Sequence, residues 1–234
     1  MATTGHTVKA FDEDLGELRA FVSEMGGRAE AAINEAVAAL IQRNVDAASK
    51  VVANDKRIDE IEAEVERLVI RLIALRAPMA DDLREVLAAL KIAGVIERIG
   101  DYAKNIAKRV PVLAEEGRSE AGTLLAAMGK AVEAMVHDVL DAFAARDPQA
   151  AAEVWARDKT IDDFYNSLFR TLLTHMMENP HSITAATHLL FIGKNLERIG
   201  DHATNIAEMI YYASTGQQLG ERTRGADAFA PDAN

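Results

Sequence analysis

Eight carboxylates stand in four pairs, each pair four residues apart: Asp55 and Asp59, Glu97 and Asp101, Asp158 and Asp162, Glu197 and Asp201. On a helix that spacing stacks both side chains on one face. Two such pairs on adjacent helices bring four acids together, and convergent carboxylate oxygens are ligands for hard cations. The metal stays open among magnesium, manganese, iron, zinc and calcium. The pattern contains neither imidazole nor thiolate, which suits zinc least. A single like-charged pair costs only ~0.2–0.5 kcal/mol and is explained as well by a solvated surface. Matching pairs on two helices in both halves of the chain favour cation binding.

The pairs lie in a repeat. Glu97-Arg98-Ile99-Gly100-Asp101-Tyr102-Ala103-Lys104-Asn105-Ile106-Ala107 returns, with nine identities, as Glu197-Arg198-Ile199-Gly200-Asp201-His202-Ala203-Thr204-Asn205-Ile206-Ala207. Copies of an ordinary helix need only keep their apolar spacing, yet Glu, Asp and Asn return with Ile and Ala. Asp55-Lys56-Arg57-Ile58-Asp59 returns as Asp158-Lys159-Thr160-Ile161-Asp162, and Met25-Gly26 as Met128-Gly129. The offset is 100 in the first case and 103 in the others, which places a three-residue deletion before the last helix of the second copy. The chain is an internal duplication.

Each half reads as three long helices: Lys9–Arg43, Ala47–Arg76 and Met79–Ala114, then Ser119–Arg146, Gln149–Glu178 and Ser182–Ala213. The breaks carry turn chemistry at Ala77-Pro78, Glu116-Gly117, Asp147-Pro148 and Glu178-Asn179-Pro180. Short connections imply antiparallel neighbours. The expected fold is all-α, two tandem three-helix bundles at 1–116 and 117–213, followed by a disordered tail at 214–234. Ile92, Ile96, Ile99, Ala103, Ile106 and Val110 form the buried stripe of the third helix, with Glu97, Asp101 and Asn105 on the opposite side. The sixth helix repeats this with Glu197, Asp201 and Asn205 outward. On the second helix Asp55, Asp59, Glu62 and Glu66 lie a quarter turn from the core stripe. All these acids are expected to face solvent. Gly100 and Gly200 imply close backbone approach to a neighbouring helix or a ligand. Arg98 and Arg198 are expected to pair with nearby acids, and His202 to pack at the surface. Trp155 is expected in the core.

The formal charge of −11 argues against sequence-independent nucleic-acid binding, which needs clustered Lys and Arg. With no cysteine, disulfides and thiolate metal sites are excluded. Met1 to Leu15 lacks the basic and apolar regions of a signal peptide, and no apolar run approaches the ~20 residues of a membrane span. The expectation is a cytoplasmic protein that meets membranes only through partners. No Gly-x-x-x-x-Gly-Lys-Ser/Thr loop is present, so direct phosphate sensing is not expected.

Two copies of Glu-Arg-Ile-Gly-Asp-x-Ala-x-Asn-Ile-Ala, each about 40 residues after Asp-Lys-x-Ile-Asp, resemble the PhoU family of phosphate-transport accessory proteins. Pro78-Met79-Ala80-Asp81-Asp82-Leu83-Arg84 resembles that family's entry to its third helix. The resemblance runs from about Phe11 to Tyr212. It implies twin bundles, usually in a homodimer, and a non-enzymatic role coupling the ATPase of the phosphate ABC transporter to the sensor histidine kinase. Such proteins repress the phosphate-starvation response and phosphate uptake when phosphate is plentiful. Some carry metal on the bundle surface, which would fall here on the eight carboxylates named above.

Two rival readings stand beside it: a carboxylate-bridged metal enzyme and a metal-storage or purely structural helical protein. Di-iron enzymes combine inward Glu with helical Glu-x-x-His pairs. The one such string, Glu178 to His181, is split by Asn179-Pro180.

Overall fold

Residues 3–115 and 120–220 are described by the computed structural model. They form helices α1 (Thr3–Gln42), α2 (Val45–Asn54), α3 (Lys56–Arg76), α4 (Asp81–Ala107), α5 (Val110–Leu113), α6 (Glu120–Ala145), α7 (Pro148–Trp155), α8 (Asp158–Glu178) and α9 (Ile183–Thr215). A 3-10 turn occupies Pro180–Ser182. The all-α expectation holds, with three of the six long helices broken.

The second helix of each half is interrupted, at Asp55 and at Ala156–Arg157. Near each break the ladder tightens to a three-residue step: Ile58 N–H donates to the Asp55 carbonyl, and Thr160 N–H to that of Arg157. Hydrophobic spacing runs through both points, so periodicity alone shows no interruption. The third helix ends at Ala107 rather than Ala114, because Pro111 cannot supply the N–H that a continuing helix needs. Tyr211 stands at the equivalent position, and α9 runs on to Thr215. There Gly216 takes φ 71° and its N–H closes the helix on the Tyr212 carbonyl. The Glu116-Gly117 break lies outside the described residues, as does the expected tail from 221 onward. At the turn from α1 to α2, Arg43 takes φ 56° and Asn44 caps α2 through Ala47 N–H. Arg146 and Asp147 do the same for α7, at φ 54° and through Gln149 and Ala150. Duplication extends to the turns.

Packing gives two layers. Helices α3, α4, α9 and α8 lie side by side in that order, backed by α1 under the first pair and α6 under the second. One continuous core joins the halves, from Leu18, Met25 and Ile33 of α1 through Ile99 of α4 to Ile199 of α9. Helices α4 and α9 run antiparallel: Arg84 lies beside Gly216, Tyr102 beside His202, and Arg109 beside His188. Tyr102 and His202 are equivalent residues of the two repeats, so a local two-fold axis passes between them. The backing layer obeys the same rotation. Gly26 lies against Leu140 and Gly129 against Val37, equivalent pairs at an offset of 103. A Cβ on Gly26 would sit 2.5 Å from Leu140 Cδ2, so at this crossing of α1 and α6 any larger residue requires the Leu140 side chain to move. Among the described residues, no helix is long and apolar enough to cross a membrane.

Candidate functional site

The acidic rows of α3 and α4 face each other as their spacing implies. Lys104 ties them: its Nζ lies 2.5 Å from Asp55 Oδ2 and 2.7 Å from Asp101 Oδ1. Asp55 was expected to face solvent and does not; it is only 7% exposed. The break between α2 and α3 turns its carboxylate inward over Gly100, where Asp55 Oδ1 would lie 3.4 Å from an added Cβ. Gly100 thus serves a helix–helix contact, with Ile58 Cδ1 2.9 Å from the same point. Gly200 does likewise against Ile161.

Electrostatics places the first half's acids in one shared field. Burial lifts the Glu97 carboxyl above the usual range, helped by the charges of Asp101, Glu62, Asp59 and Asp55. Burial and then Asp55 lift Asp59, against the pull of Lys104. Burial with Asp59 and Glu66 lifts Glu62. The Lys104 ammonium is held charged by its hydrogen bonds to Asp101 and Asp55.

The second half is arranged differently. Thr204 stands where Lys104 does, fully buried, with its hydroxyl donating to the Asp201 carbonyl at 2.7 Å. The cation comes instead from Lys194, which takes the place of Gly94 and reaches Glu197 Oε1 at 2.6 Å. Glu197 was also expected to point outward, yet its side chain is only 13% exposed. Its Oε2 is buried without a hydrogen-bond partner. Burial lifts its carboxyl; Lys194 opposes this, and Asp201 and Asp162 add to it. Asp158, Asp162 and Asp201 are half-buried, and Asp162 and Asp201 lie near enough to Glu197 for their charges to act on it.

Among the described residues, no group of three or more His, Asp or Glu side chains is arranged to hold a metal ion. In the first half the place between Asp55 and Asp101 already holds an ammonium. In the second, the orphaned Glu197 oxygen is the feature that fits a cation.

The repeat does not point to Lys104 or Lys194, since neither recurs in the other copy. The signal that could have found them is a Lys three residues from an acid on one helix, a recognisable pair. Of the expected pairing of Arg98 and Arg198 with acids, no direct ion pair forms among the described residues, but the Arg98 charge acts on Glu62 and draws its carboxyl down against burial, Asp59 and Glu66. Arg198 instead places its guanidinium 5.8 Å from the Tyr102 ring centre. His202 is no isolated surface residue; its ring stacks on Tyr102 at 5.4 Å between centroids. Trp155 is partly buried, and its indole N–H donates to Glu208 at 3.0 Å.

A carboxyl whose folded pKa is raised destabilises the fold when ionised, fully so above that pKa and not at all below the unfolded value. Glu97→Gln removes one such charge. The variant should therefore be more stable than the parent near pH 7, and the gap should close as pH falls to about 4–5. Thermal unfolding of both proteins across that range checks the sign; a gap that widens on acidification refutes it.

The PhoU domain model matches residues 22–110 and again 125–210, one match per half. A phosphate-specific transport system accessory protein PhoU homolog of Zymomonas mobilis is 57% identical over 228 residues, covering 97% of this chain and 96% of that protein. The homolog of Caulobacter vibrioides is 52% identical over 217 residues, covering 92% and 94%. The crystal structure of PhoU from Pseudomonas aeruginosa superposes with a TM-score of 0.86 at 38% identity, over 88% of this chain and all of the other. The phosphate transport system regulatory protein PhoU from Streptococcus pneumoniae gives 0.84 at 30% identity, over 90% and all.

Proposed function

The chain belongs to the PhoU family, and on that premise we propose that it is a non-enzymatic regulatory adaptor of phosphate transport. It couples the ATPase of the phosphate ABC transporter to the sensor histidine kinase of the phosphate response. In phosphate-rich conditions it represses the starvation response and restrains uptake. It works in the cytoplasm as a homodimer. The observation that carries this reading is the paired acidic face, kept in both halves of a protein whose relatives are named as transport accessory and regulatory proteins.

A divalent or trivalent cation belongs with that face. Asp158, Asp162, Glu197 and Asp201 would hold it in the second half, where a buried carboxylate oxygen lacks a partner. Asp55, Asp59, Glu97 and Asp101 would do so in the first only when Lys104 swings aside. Such an ion would neutralise the acids and present a Lewis-acidic point to a partner's carboxylate. The enzyme alternative needs a water-excluded inward site with helical Glu-x-x-His pairs. These acids lie instead on the outer layer of the bundle.

Affinity capture from native lysate, combined with elemental analysis of the purified protein, tests both parts together. The transporter ATPase and the kinase should co-purify with the tagged chain. Metal should be present in the wild type and depleted by Asp162→Asn with Asp201→Asn. Capture of neither partner would sink the adaptor reading.

A further inference from the structure

We infer that the outer face of α4 and α9, centred on their local two-fold axis, is a docking surface for a two-fold-symmetric protein, so that one copy of this chain engages both subunits of a homodimer. The inference deepens the adaptor reading, from which it takes its probes.

The axis is fixed by one contact that lies on it and two pairs of equivalent contacts related by it. Tyr102 stacks on its own repeat equivalent, His202, which only a rotation passing between them allows. In the backing layer Asn34 donates to Glu133 Oε1 at 2.6 Å, and the equivalent pair, Glu30 with His137, meets at 3.1 Å. Gly26 with Leu140 and Val37 with Gly129 complete the set. Residues of both layers obey one rotation, so the axis pierces both and emerges on the outer face at the Tyr102–His202 pair.

Charge on that face follows the same symmetry. At the centre stand Arg98 and Arg198, both exposed and neither in an ion pair among the described residues. To one side lie Asp59, Glu62, Glu97 and Asp101, and to the other Asp162, Glu197 and Asp201. Each flank also holds a single lysine on its acids, Lys104 on Asp101 and Lys194 on Glu197, so the carboxylates outnumber the ammonium groups on both sides. The face is positive on the axis and negative on either side. Its complement carries carboxylates at an axis of its own and basic patches flanking them. A homodimer presents such a surface across its subunit boundary, because its symmetry repeats each charge.

The back of the bundle shares the axis but not the retained motif. Nine of eleven residues recur between α4 and α9, whereas α1 and α6 share only scattered matches such as Met25-Gly26. The apolar core does not require Arg at 98 and 198, since both side chains leave it, Arg198 to lie over the Tyr102 ring and Arg98 to act on Glu62. Recognition of two equivalent subunits does.

The test mixes the full chain with the dimeric cytoplasmic portion of the phosphate-response kinase and, separately, with the transporter ATPase. Stoichiometry is read by native mass spectrometry and affinity by titration. One chain per dimer is expected with at least one of them. Arg98→Glu and Arg198→Glu, singly, should weaken that complex by similar factors of roughly tenfold, and together by more. The exposed Lys50→Glu on α2 should leave it unchanged, and circular dichroism should show all variants folded. A complex with one chain per subunit, or one indifferent to the double reversal, overturns the inference while leaving the adaptor role intact. A change in the self-association of the chain alone on double reversal assigns the face to a second copy and overturns it too. No complex with either probe defeats the adaptor reading and this inference together.

Discussion

Replacing Lys104 with alanine should destabilise the protein by about 3–5 kcal/mol, the usual cost of removing one partner from a buried ion pair. Asp55 is 7% exposed and its Oδ2 lies 2.5 Å from the Lys104 ammonium, so the substitution leaves an ionised carboxylate without its counter-charge. In a chain of this length that corresponds to a melting temperature lower by about 10 °C. Asp55→Asn in the same background should recover much of the loss, because the amide carries no charge to strand. Lys194→Ala should cost less, since Lys194 is 42% exposed and water reaches its ion pair. Adding millimolar Mg²⁺ or Mn²⁺ should raise the melting temperature of Lys104→Ala more than that of the parent, because a cation then takes the vacated place. Urea and thermal denaturation of the three variants, with and without metal, give the comparison. A Lys104→Ala protein within about 0.5 kcal/mol of the parent would show that Asp55 finds compensation elsewhere.

Loss of the protein should raise phosphate-responsive transcription in phosphate-rich medium on the order of tenfold, in the range of typical regulatory coupling energies. The expectation follows from the adaptor reading: without the coupling protein, the kinase no longer receives the signal that phosphate is plentiful. A reporter strain lacking the gene, complemented with the wild type or with Asp101→Ala plus Asp201→Ala, separates the roles. Wild type should restore repression. The double variant should fail to do so if the acidic faces act in docking, provided its melting temperature stays near that of the parent. Asp101 is 45% exposed, so its removal is not expected to unfold the bundle. Full repression by the double variant would reduce the paired acids to ordinary surface, and unchanged reporter output in the deletion strain would defeat the adaptor role.

Several features of the site are legible in the residues themselves. The stacking of acids four apart, the inward stripe of α4 and the doubling of both motifs are one-dimensional properties, since helix geometry converts spacing into direction. The same logic fails at Asp55. Its place on the helical wheel, a quarter turn from the stripe, suggests exposure only if nothing covers it, and Lys104 of the next helix does. Glu197 departs in the same way, packed under Lys194 from its own helix. His202 packs at the surface as expected, and its partner there is Tyr102, its own equivalent in the other copy. Residues that meet across a two-fold axis contact each other, so they need complementarity and not identity.

The sequence alone determined that this protein is a duplicated, all-helical chain of the PhoU type with an acidic motif in each half. Turn residues, apolar periodicity and recurrence are local or repeated signals, and the chain carries them in full. Only the tertiary structure decided that the halves share one core, that an axis runs between Tyr102 and His202, and that each acidic cluster contains a cation of its own, supplied from a different position of the repeat. Those outcomes depend on which helix faces lie against each other across more than a hundred residues. Periodicity orients a side chain about its own helix and carries no information about the neighbour that covers it.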